Sequence, residues 1–184
     1  MTTWKIDASH SEIKFKTRHL LISTVGGHFN KFEGTVQSDK PDFTDAQINF
    51  EADIDSISTN DNYRDGHLKS ADFFDAVAHP KLFFKSKALN KTEGEHYNLI
   101  GDLTIRGITK EVTLNVELTG TTKGFGGVDV AGFELTGKIN RFDFDLKWNA
   151  LTETGGIALG ETVKLELFIE LTKVAAETPE LAAA

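Results

Sequence analysis

The chain has 184 residues, no cysteine and a formal net charge of −8 at pH 7. A chain of this length buries about 70% of its unfolded surface, which is enough for one domain without disulfides. The lack of cysteine excludes disulfides and thiolate chemistry, and leaves only His, Asp and Glu as possible metal ligands. The negative charge argues against nucleic-acid binding, and no run approaches the ~18 apolar residues of a membrane span.

Almost all predicted elements are strands in which apolar and polar residues alternate. A period of two places one set of side chains on one face of a sheet and the other set in water. The clearest case is AQINFEADI, Ala46 to Ile54. In chain order the predicted strands are SEIKFKT, KFEGTV, AQINFEADI, KLFFKSKAL, YNLIGDLTI, EVTLNVEL, VAGFELTGKI and VKLELFIEL.

About eight such strands predict an all-β fold, an antiparallel barrel formed by residues 1–174. Eight is the strand number at which a closed barrel is either filled by its own side chains or just wide enough for one ligand. The connections agree, because IRGIT reads as a tight hairpin turn and TTKGFGGVD as a glycine-rich loop. Residues 175–184 leave the strand pattern and carry a proline, which predicts a flexible C-terminal tail.

The period of two fails in one stretch, RDGHLKSADFFDAVAHP, Arg64 to Pro80. Its apolar residues recur at near-helical spacing, which predicts a short helical segment near residues 64–79, with Ser70 capping its second turn. Pro80 cannot continue a helix. Because an isolated helical segment must bury its apolar side on the barrel, we expect it to cover the barrel opening as a lid or plug. The apolar positions are Leu68, Ala71, Phe73 or Phe74, and Val77.

Six motifs follow one another along nearly the whole chain: IDASHSEIKFKTRHL, GHFNKFEG, DIDSISTNDNYRDGHLKSADFFDAVAHPKLFFKS, GDLTIRGITKEVTLNV, KINRFDFDLKW and LGETVKLEL. In these motifs the chain resembles the YceI-like family of lipocalin-like, polyisoprenoid-binding proteins. The resemblance implies an extended, lipocalin-like antiparallel barrel around an apolar channel. It also implies that the channel binds a long-chain lipid, such as a polyisoprenoid, an isoprenoid quinone or a fatty amide, and that the protein pairs as a homodimer. No cofactor other than such a lipid is predicted.

Two features depart from the family pattern. Many members are exported to the periplasm behind a signal peptide, whereas this sequence opens directly on WKIDASHS. The lack of a basic segment followed by an apolar one predicts a cytoplasmic protein. In KINRFDFDLKW, Asp145 stands where the family tends to have a glycine, so we expect the local turn to differ.

Glycines interrupt the inward-facing rows at Gly34 and Gly101. Glycine inside a strand costs ~0.5–1 kcal/mol relative to alanine, so its presence suggests either a bend or the close approach of a ligand. The residues alone favour a bend. The resemblance favours a ligand.

The predicted ligand-binding residues come from the inward-facing rows and from the helical segment. The chain has 14 Phe against two Trp and two Tyr, which suits an apolar wall with few hydrogen-bonding groups, although any single Phe also fits an ordinary core. The predicted wall consists of Phe15, Phe32, Ile48, Phe50, Phe73, Phe74 and Phe84. Arg64, His67 and His19 are predicted to lie at the opening.

The charge of the chain bears on the headgroup of such a lipid. A net charge of −8 opposes a pyrophosphate headgroup and favours a neutral one. A local arginine still offers a bidentate contact to an anion. The candidates for that contact are Arg64, Arg18 and Arg141.

Two alternatives to a lipid-binding barrel remain open. The first is a small hydrolase, because a His67 oriented by Asp65 can act as a base to a serine. The chain has no G-x-S-x-G, H-E-x-x-H or P-loop motif, so an ion pair between Arg64 and Asp65 beside His67 is favoured over catalysis. Sequence spacing gives little support to a metal site from His10, His19 and His67, and none is predicted. The second alternative is a barrel packed solid that acts through its surface, as a stress-response scaffold.

Overall fold

The computed structural model describes residues 1–176, and most of them form antiparallel strands. The predicted flexible tail therefore lies almost entirely outside the described residues. The helical element is α1 (Asn62–Lys69), and none of the helices within residues 1–176 has the length and apolarity that crossing a bilayer requires. The strands are β1 (Thr3–Ile6), β2 (Glu12–His19), β3 (Ser23–Phe29), β4 (Phe32–Gln37), β5 (Gln47–Asp53), β6 (Ile57–Ser58), β7 (Lys81–Lys91), β8 (His96–Ile105), β9 (Ile108–Lys123), β10 (Asp129–Asn140) and β11 (Leu159–Lys173).

The strands close into a barrel of eight, which confirms the predicted architecture. The ladder runs β1-β4-β5-β7-β8-β9-β10-β11 and returns from β11 to β1. The remaining three strands extend this ring, because β2 continues β1 along the same edge of β11, β3 pairs with β2, and β6 pairs with β3. Three of the eight barrel positions are therefore each formed by two consecutive strands: β1 with β2, β3 with β4, and β5 with β6. Short 3-10 turns at Ala8–His10 and Ile54–Ser56 make two of these three breaks.

Alternation of side chains along each strand builds the interior. In β8 the buried positions are every second residue, while the intervening positions are partly exposed. Inward-facing apolar residues form one continuous core with their counterparts on the other strands. On the outer surface, neighbouring strands carry ion pairs such as Lys87 with Asp102 at 2.7 Å and with Glu111 at 2.9 Å. The buried residues of β8 are Tyr97, Leu99, Gly101, Leu103 and Ile105.

The glycines inside the strands make room for the protein's own side chains. A Cβ added to Gly101 would lie 2.3 Å from the ring of Phe84, and one added to Gly34 would lie 2.6 Å from Cδ1 of Ile6. The interpretation of these two glycines as points of ligand approach is therefore wrong. Neighbouring inward side chains occupy the space that each glycine leaves, as aromatic rings do over edge glycines in β proteins.

Aromatic packing closes one end of the barrel. The connection between β4 and β5 folds across this end and buries Phe43, which is 2% exposed. The ring of Phe43 packs against Trp4 at 5.2 Å and edge-on against Phe133 at 5.1 Å between centroids. Asp45 fixes this connection by accepting hydrogen bonds from Ser38 and from the backbone of Asp39. We call this end the closed end.

The opposite end carries the helix α1 and the turns that follow it. The helix begins at Asn62, after Asp61 whose carboxylate accepts a bond from the backbone N–H of Arg64 at 2.9 Å, and ends at Lys69. The predicted segment near residues 64–79 is therefore helical only in its first part. Ser70 ends the helix because its ψ of 171° is extended, and its hydroxyl bonds to the carbonyl of His67 at 2.7 Å. Residues 71–78 form hydrogen-bonded turns that lead to β7.

The turns after α1 are fixed to the rim of the barrel. Arg106 lies in the two-residue turn between β8 and β9, where it and Gly107 have φ values of 51° and 72°. Its guanidinium donates to the carbonyl of Phe73 at 2.7 Å. The predicted hairpin turn in IRGIT thus exists and also holds the turns that follow α1.

The turn around Asp145 uses a left-handed residue without being a glycine. Asp145 has φ 59° and ψ 22°, and its N–H closes the 3-10 turn Arg141–Phe144. Aspartate tolerates this conformation better than most residues, since its short polar side chain interacts locally. Here the carboxylate pairs with Lys147 at 3.1 Å. The turn therefore accommodates Asp145 in a conformation that glycine also favours.

Candidate functional site

An apolar cavity of about 470 Å³ runs through the interior of the barrel. This volume falls within the range of about 300–1,000 Å³ that is typical of small-molecule sites. The cavity reaches from Phe43 at the closed end to the residues of α1. Its middle is bounded by aliphatic and aromatic side chains from opposite walls, among them Ile48, Val112, Leu135, Leu165 and Leu167.

The polar lining residues gather at the end that carries α1. His19 from β2, Tyr63 from α1 and Ala158 from the connection to β11 all line the cavity, and His19 and Tyr63 are exposed. We call this end of the cavity, lined by His19, Tyr63 and Ala158, the mouth. Arg64 and His67 also line the cavity on the side of α1. The cavity is thus a tube with an apolar interior and a polar rim at one end.

Nine of the ten predicted site residues line this cavity, and Phe32 does not. The ring of Phe32 instead packs against that of Phe50, with 6.1 Å between centroids. The inward rows supply most of the others because period-two alternation points their side chains into the barrel. The nine are Phe15, His19, Ile48, Phe50, Arg64, His67, Phe73, Phe74 and Phe84.

A cluster of aromatic rings covers the cavity beside the mouth. His67 packs edge-on against Phe73 at 5.0 Å and against Trp148 at 4.7 Å between centroids. Phe74 packs edge-on against Phe29 on β3 at 6.3 Å. Trp148 was not among the predicted site residues. The only sequence feature that pointed to Trp148 as a site residue was its position at the end of the motif KINRFDFDLKW, after the last alternating residue of β10.

The predicted ion pair between Arg64 and Asp65 is wrong. Asp65 is buried and accepts bonds from the N–H and hydroxyl of Thr59 at 2.8 and 2.6 Å. Arg64 donates to the same threonine, from Nε to Oγ1 at 2.7 Å and from Nη2 to the carbonyl at 2.8 Å. Consecutive helix residues point in different directions, so neighbouring side chains on a helix do not face each other. Both residues therefore fix α1 to β6 through Thr59.

His67 has a carboxylate partner but no nucleophile. Its Nε2 lies 2.9 Å from Oδ2 of Asp72. The hydroxyl of Ser70, the nearest serine along the chain, donates to the carbonyl of His67 rather than to its ring. Within residues 1–176, no serine or threonine hydroxyl is hydrogen-bonded to the His67 imidazole. A nucleophile, a base and an orienting acid do not form a relay here.

A second polar cluster lies on the outer surface around His10. Nδ1 of His10 is 2.9 Å from Asp7, 3.7 Å from Glu170 and 3.3 Å from the hydroxyl of Ser9. All three contacts involve the same ring nitrogen, so this cluster also lacks the relay of a hydrolase. Asp7, His10 and Glu170 each offer one atom that could bind a metal ion, and these three atoms lie within 4.8 Å of one another. His19 and His67 lie elsewhere, at the mouth and on α1.

The Asp7–His10 contact makes stability depend on pH. Bonds from Ser9 and His10 lower the pKa of Asp7 from 3.8 to about 2, and the bond to Asp7 raises the pKa of His10 above 6.5. The raised pKa of His10 means that its stabilising contribution is complete below pH 6.5 and is lost as the pH rises through the folded-state pKa. The lowered pKa of Asp7 means that its contribution is present above pH 3.8 and is lost as the pH falls toward 2.

We therefore expect His10→Ala to destabilise the protein most between these limits. Urea unfolding across the pH range should give the largest difference from the wild type at mildly acidic pH, and a smaller one in alkali. His96→Ala is the matched control, because it removes an exposed imidazole that forms no salt bridge within the described part of the chain. A His10→Ala difference that is constant with pH would contradict the linkage.

A buried arginine holds the segment that follows β10. Arg141 is 3% exposed and lines the cavity near the mouth. Its guanidinium donates to the carbonyls of Gly160 at 2.8 Å, Trp148 at 2.8 Å, Leu159 at 3.2 Å and Leu146. Burial lowers the pKa of the Arg141 guanidinium. Arg141 was considered in the sequence as a headgroup contact, yet most of its donors are bonded to the backbone.

Fold and cavity together define a closed antiparallel barrel with an interior apolar site. The model of the YceI-like domain family matches residues 4–171. The chain is 38% identical over 173 residues to a UPF0312 protein of Staphylococcus aureus strain N315, and the match covers 94% of this chain and 98% of that protein. This chain belongs to the YceI-like family, as its motifs predicted.

Solved structures share the barrel. The Campylobacter jejuni YCEI protein is 31% identical with a TM-score of 0.74, and the match covers 86% of this chain and 90% of that one. A polyisoprenoid binding domain from Saccharophagus degradans, implicated in plant cell wall breakdown, is 13% identical with a TM-score of 0.65, covering 93% of this chain and 98% of that one. At 13% identity the second likeness shows the fold alone.

Proposed function

We propose that this protein binds a long-chain apolar lipid in its barrel and sequesters or carries it. The observation that supports the proposal most directly is the cavity of about 470 Å³ with apolar walls along its length. The S. degradans barrel of the same fold is described as a polyisoprenoid binding domain, which supports the same class of ligand here. The proposed ligands are a polyisoprenoid, an isoprenoid quinone or a fatty amide.

The magnitude of hydrophobic burial is sufficient for such binding. Enclosing about ten methylene equivalents at ~0.8 kcal/mol each contributes ~8 kcal/mol before the entropic costs of association. Micromolar affinity corresponds to about −8.2 kcal/mol net, so reaching it without a strong headgroup contact requires a chain that buries more than these ten methylene equivalents. The same arithmetic predicts weak discrimination between chain lengths, because one methylene contributes little.

The mouth supports a neutral headgroup. Arg64 and Arg141 line the cavity, but Arg64 is bonded to Thr59 and Arg141 to backbone carbonyls. These donors are therefore largely committed within the protein, and the net charge of −8 opposes a doubly charged pyrophosphate. A quinone or an amide carries no such penalty.

The test is to identify what the protein carries. Protein purified from its own cell is analysed by native mass spectrometry and by organic extraction, and we expect a co-purifying apolar lipid. The delipidated protein should then take up an added isoprenoid or isoprenoid quinone. A ligand-free species that also fails to bind these additions contradicts the proposal and favours the scaffold interpretation.

The proposal is a binding protein and not an enzyme. In the alternative hydrolase, His67→Ala abolishes turnover, whereas in a binding protein it changes only affinity. The His67–Asp72 contact of 2.9 Å fits the binding interpretation as a brace for α1 beside the aromatic cluster. The homodimer and the cytoplasmic location stay predictions.

A further inference from the structure

The turn between β2 and β3 exposes three apolar side chains. Leu20, Leu21 and Ile22 are 41%, 64% and 83% exposed. We call Leu20–Ile22 the tip. Single exposed apolar residues are common on protein surfaces, so the concentration of three in one turn needs an explanation.

The backbone of the tip adopts a conformation that is unfavourable for its residues. Leu20 and Leu21 have φ values of 51° and 64°, and the N–H of Ile22 closes the turn on the carbonyl of His19 at 3.3 Å. Three residues separate the paired His19 and Ser23. The turn from His19 to Ile22 has positive φ at both central positions, which strongly favours Asn-Gly or similar residues. Two leucines are unfavourable there, because their Cβ atoms crowd the backbone. Stability does not explain this choice of residues, and strain retained at a surface turn points to a function.

The tip lies beside the mouth. The N–H of Leu20 donates to the carbonyl of Ala158 at 2.9 Å, and both His19 and Ala158 line the cavity. Leu151, on the neighbouring connection, is also exposed, and Tyr63 is 88% exposed on the α1 side of the mouth. Exposed apolar side chains thus occur on all three segments that line the mouth.

The chemistry of the tip fits a lipid bilayer better than a protein. Residues 20–25 carry no charged side chain. A stable protein interface uses about 20–30 residues a side, far more than three residues in one turn. The net charge of −8 opposes an anionic membrane surface, so a neutral bilayer is the matching partner.

We propose that the tip inserts into the interface of a neutral lipid bilayer and holds the mouth of the cavity against it. Leu21 and Ile22 bury their side chains among the acyl chains, as the apolar residues of interfacial anchors do. This inference goes beyond the proposed function, because docking is measured on the delipidated protein and does not require a ligand in the barrel.

The test compares a tip variant with a matched control in co-sedimentation with phosphatidylcholine vesicles. The tip variant carries Leu20→Asn, Leu21→Gly and Ile22→Ser. The control is Phe125→Ser, which removes a fully exposed apolar residue at the closed end. We expect the wild type and the control to bind, and the tip variant to bind at least about tenfold more weakly, since it loses three large aliphatic side chains, including the inserting Leu21 and Ile22. Binding of the wild type should persist at 1 M salt, where the Debye length is about 3 Å.

The tip variant also separates docking from folding. Asn-Gly suits the turn, so we expect the Tm of the variant to rise by about 2–4 °C rather than fall. Its equilibrium binding of an added isoprenoid quinone without vesicles should equal that of the wild type. If that binding is absent from both proteins while vesicle binding persists, the lipid-carrier proposal fails and the docking inference stands.

Four outcomes would overturn the inference. The wild type fails to bind neutral vesicles, the tip variant binds as well as the wild type, or Phe125→Ser loses binding equally. A tip variant that changes the oligomeric state in light scattering, with vesicle binding unaltered, would instead identify the tip as a contact between copies of this chain and would also overturn it.

Discussion

Leu135→Trp is expected to weaken the binding of a long-chain apolar ligand by about 50-fold. Leu135 lies on β10 between Val116 and Leu167 of the neighbouring strands, and all three side chains line the cavity. An indole at this position fills space in the middle of the tube. Displacing about three methylenes at ~0.8 kcal/mol each removes ~2.4 kcal/mol of binding free energy.

Thr136→Trp is the matched control for this prediction. Thr136 is the next residue on the same strand, and it is exposed on the outer face. Titration of delipidated protein with a fluorescent isoprenoid analogue should give the wild-type Kd for Thr136→Trp and a much larger Kd for Leu135→Trp. Equal affinities for the two variants would place the ligand outside the barrel and refute the proposed function.

Arg141→Met is expected to lower the free energy of unfolding by about 3 kcal/mol or more. The substitution keeps the unbranched stem but removes the donors that serve the carbonyls of Leu146, Trp148, Leu159 and Gly160. Each buried carbonyl left without a partner costs ~1–3 kcal/mol, although some of the four will reach water after local relaxation. Urea denaturation measures the effect.

Two further variants test the cause. Arg141→Lys retains the charge, but its single ammonium cannot reproduce the forked contacts, so it should lose most of the same stability. Arg18→Met removes an exposed arginine at the same end of the barrel and should change stability by less than about 0.5 kcal/mol. If Arg141→Lys were as stable as the wild type, the charge rather than the donor geometry would be the stabilising feature.

Much of the fold follows from the period of two, because alternation states which residues face inward. The strand breaks do not follow from it. Only SEIKFKT was predicted as a strand in this region, but the structure has a further strand, β1, before it. Asp7 accepts a bond from the N–H of Ser9 at 2.9 Å, and the chain turns at Ala8–His10 between the two strands. Local capping by the Asp7 carboxylate thus separates β1 from β2, a break that the apolar pattern does not predict.

The residues of the candidate site could be predicted where the cavity wall is formed by regular strands. Phe15, Ile48, Phe50 and Phe84 line the cavity because their positions on regular strands determine their direction. Trp148 was missed because it lies in irregular structure whose path depends on Arg141.

The helix shows a different limit of sequence reasoning. Spacing predicted an apolar face that includes Ala71 and Val77, but both residues are exposed, Val77 at 96%. The predicted bounds were also wrong, since the helix begins after Asp61 and Ser70 ends it. The turn at the tip was not predicted for a similar reason. Leu20 and Leu21 occupy a turn whose usual residues are Asn and Gly, so the sequence gives no turn signal there.

The aromatic seal at the closed end gives the barrel a polarity. Phe43 packs between Trp4 and Phe133 and covers this end, so a lipid of the proposed kind would enter and leave at the mouth. Such a lipid would enter with its hydrocarbon end first and leave by the reverse path. If the protein carries a lipid as proposed, loading and unloading use the same end of the barrel, so we expect a donor and an acceptor to be engaged one after the other.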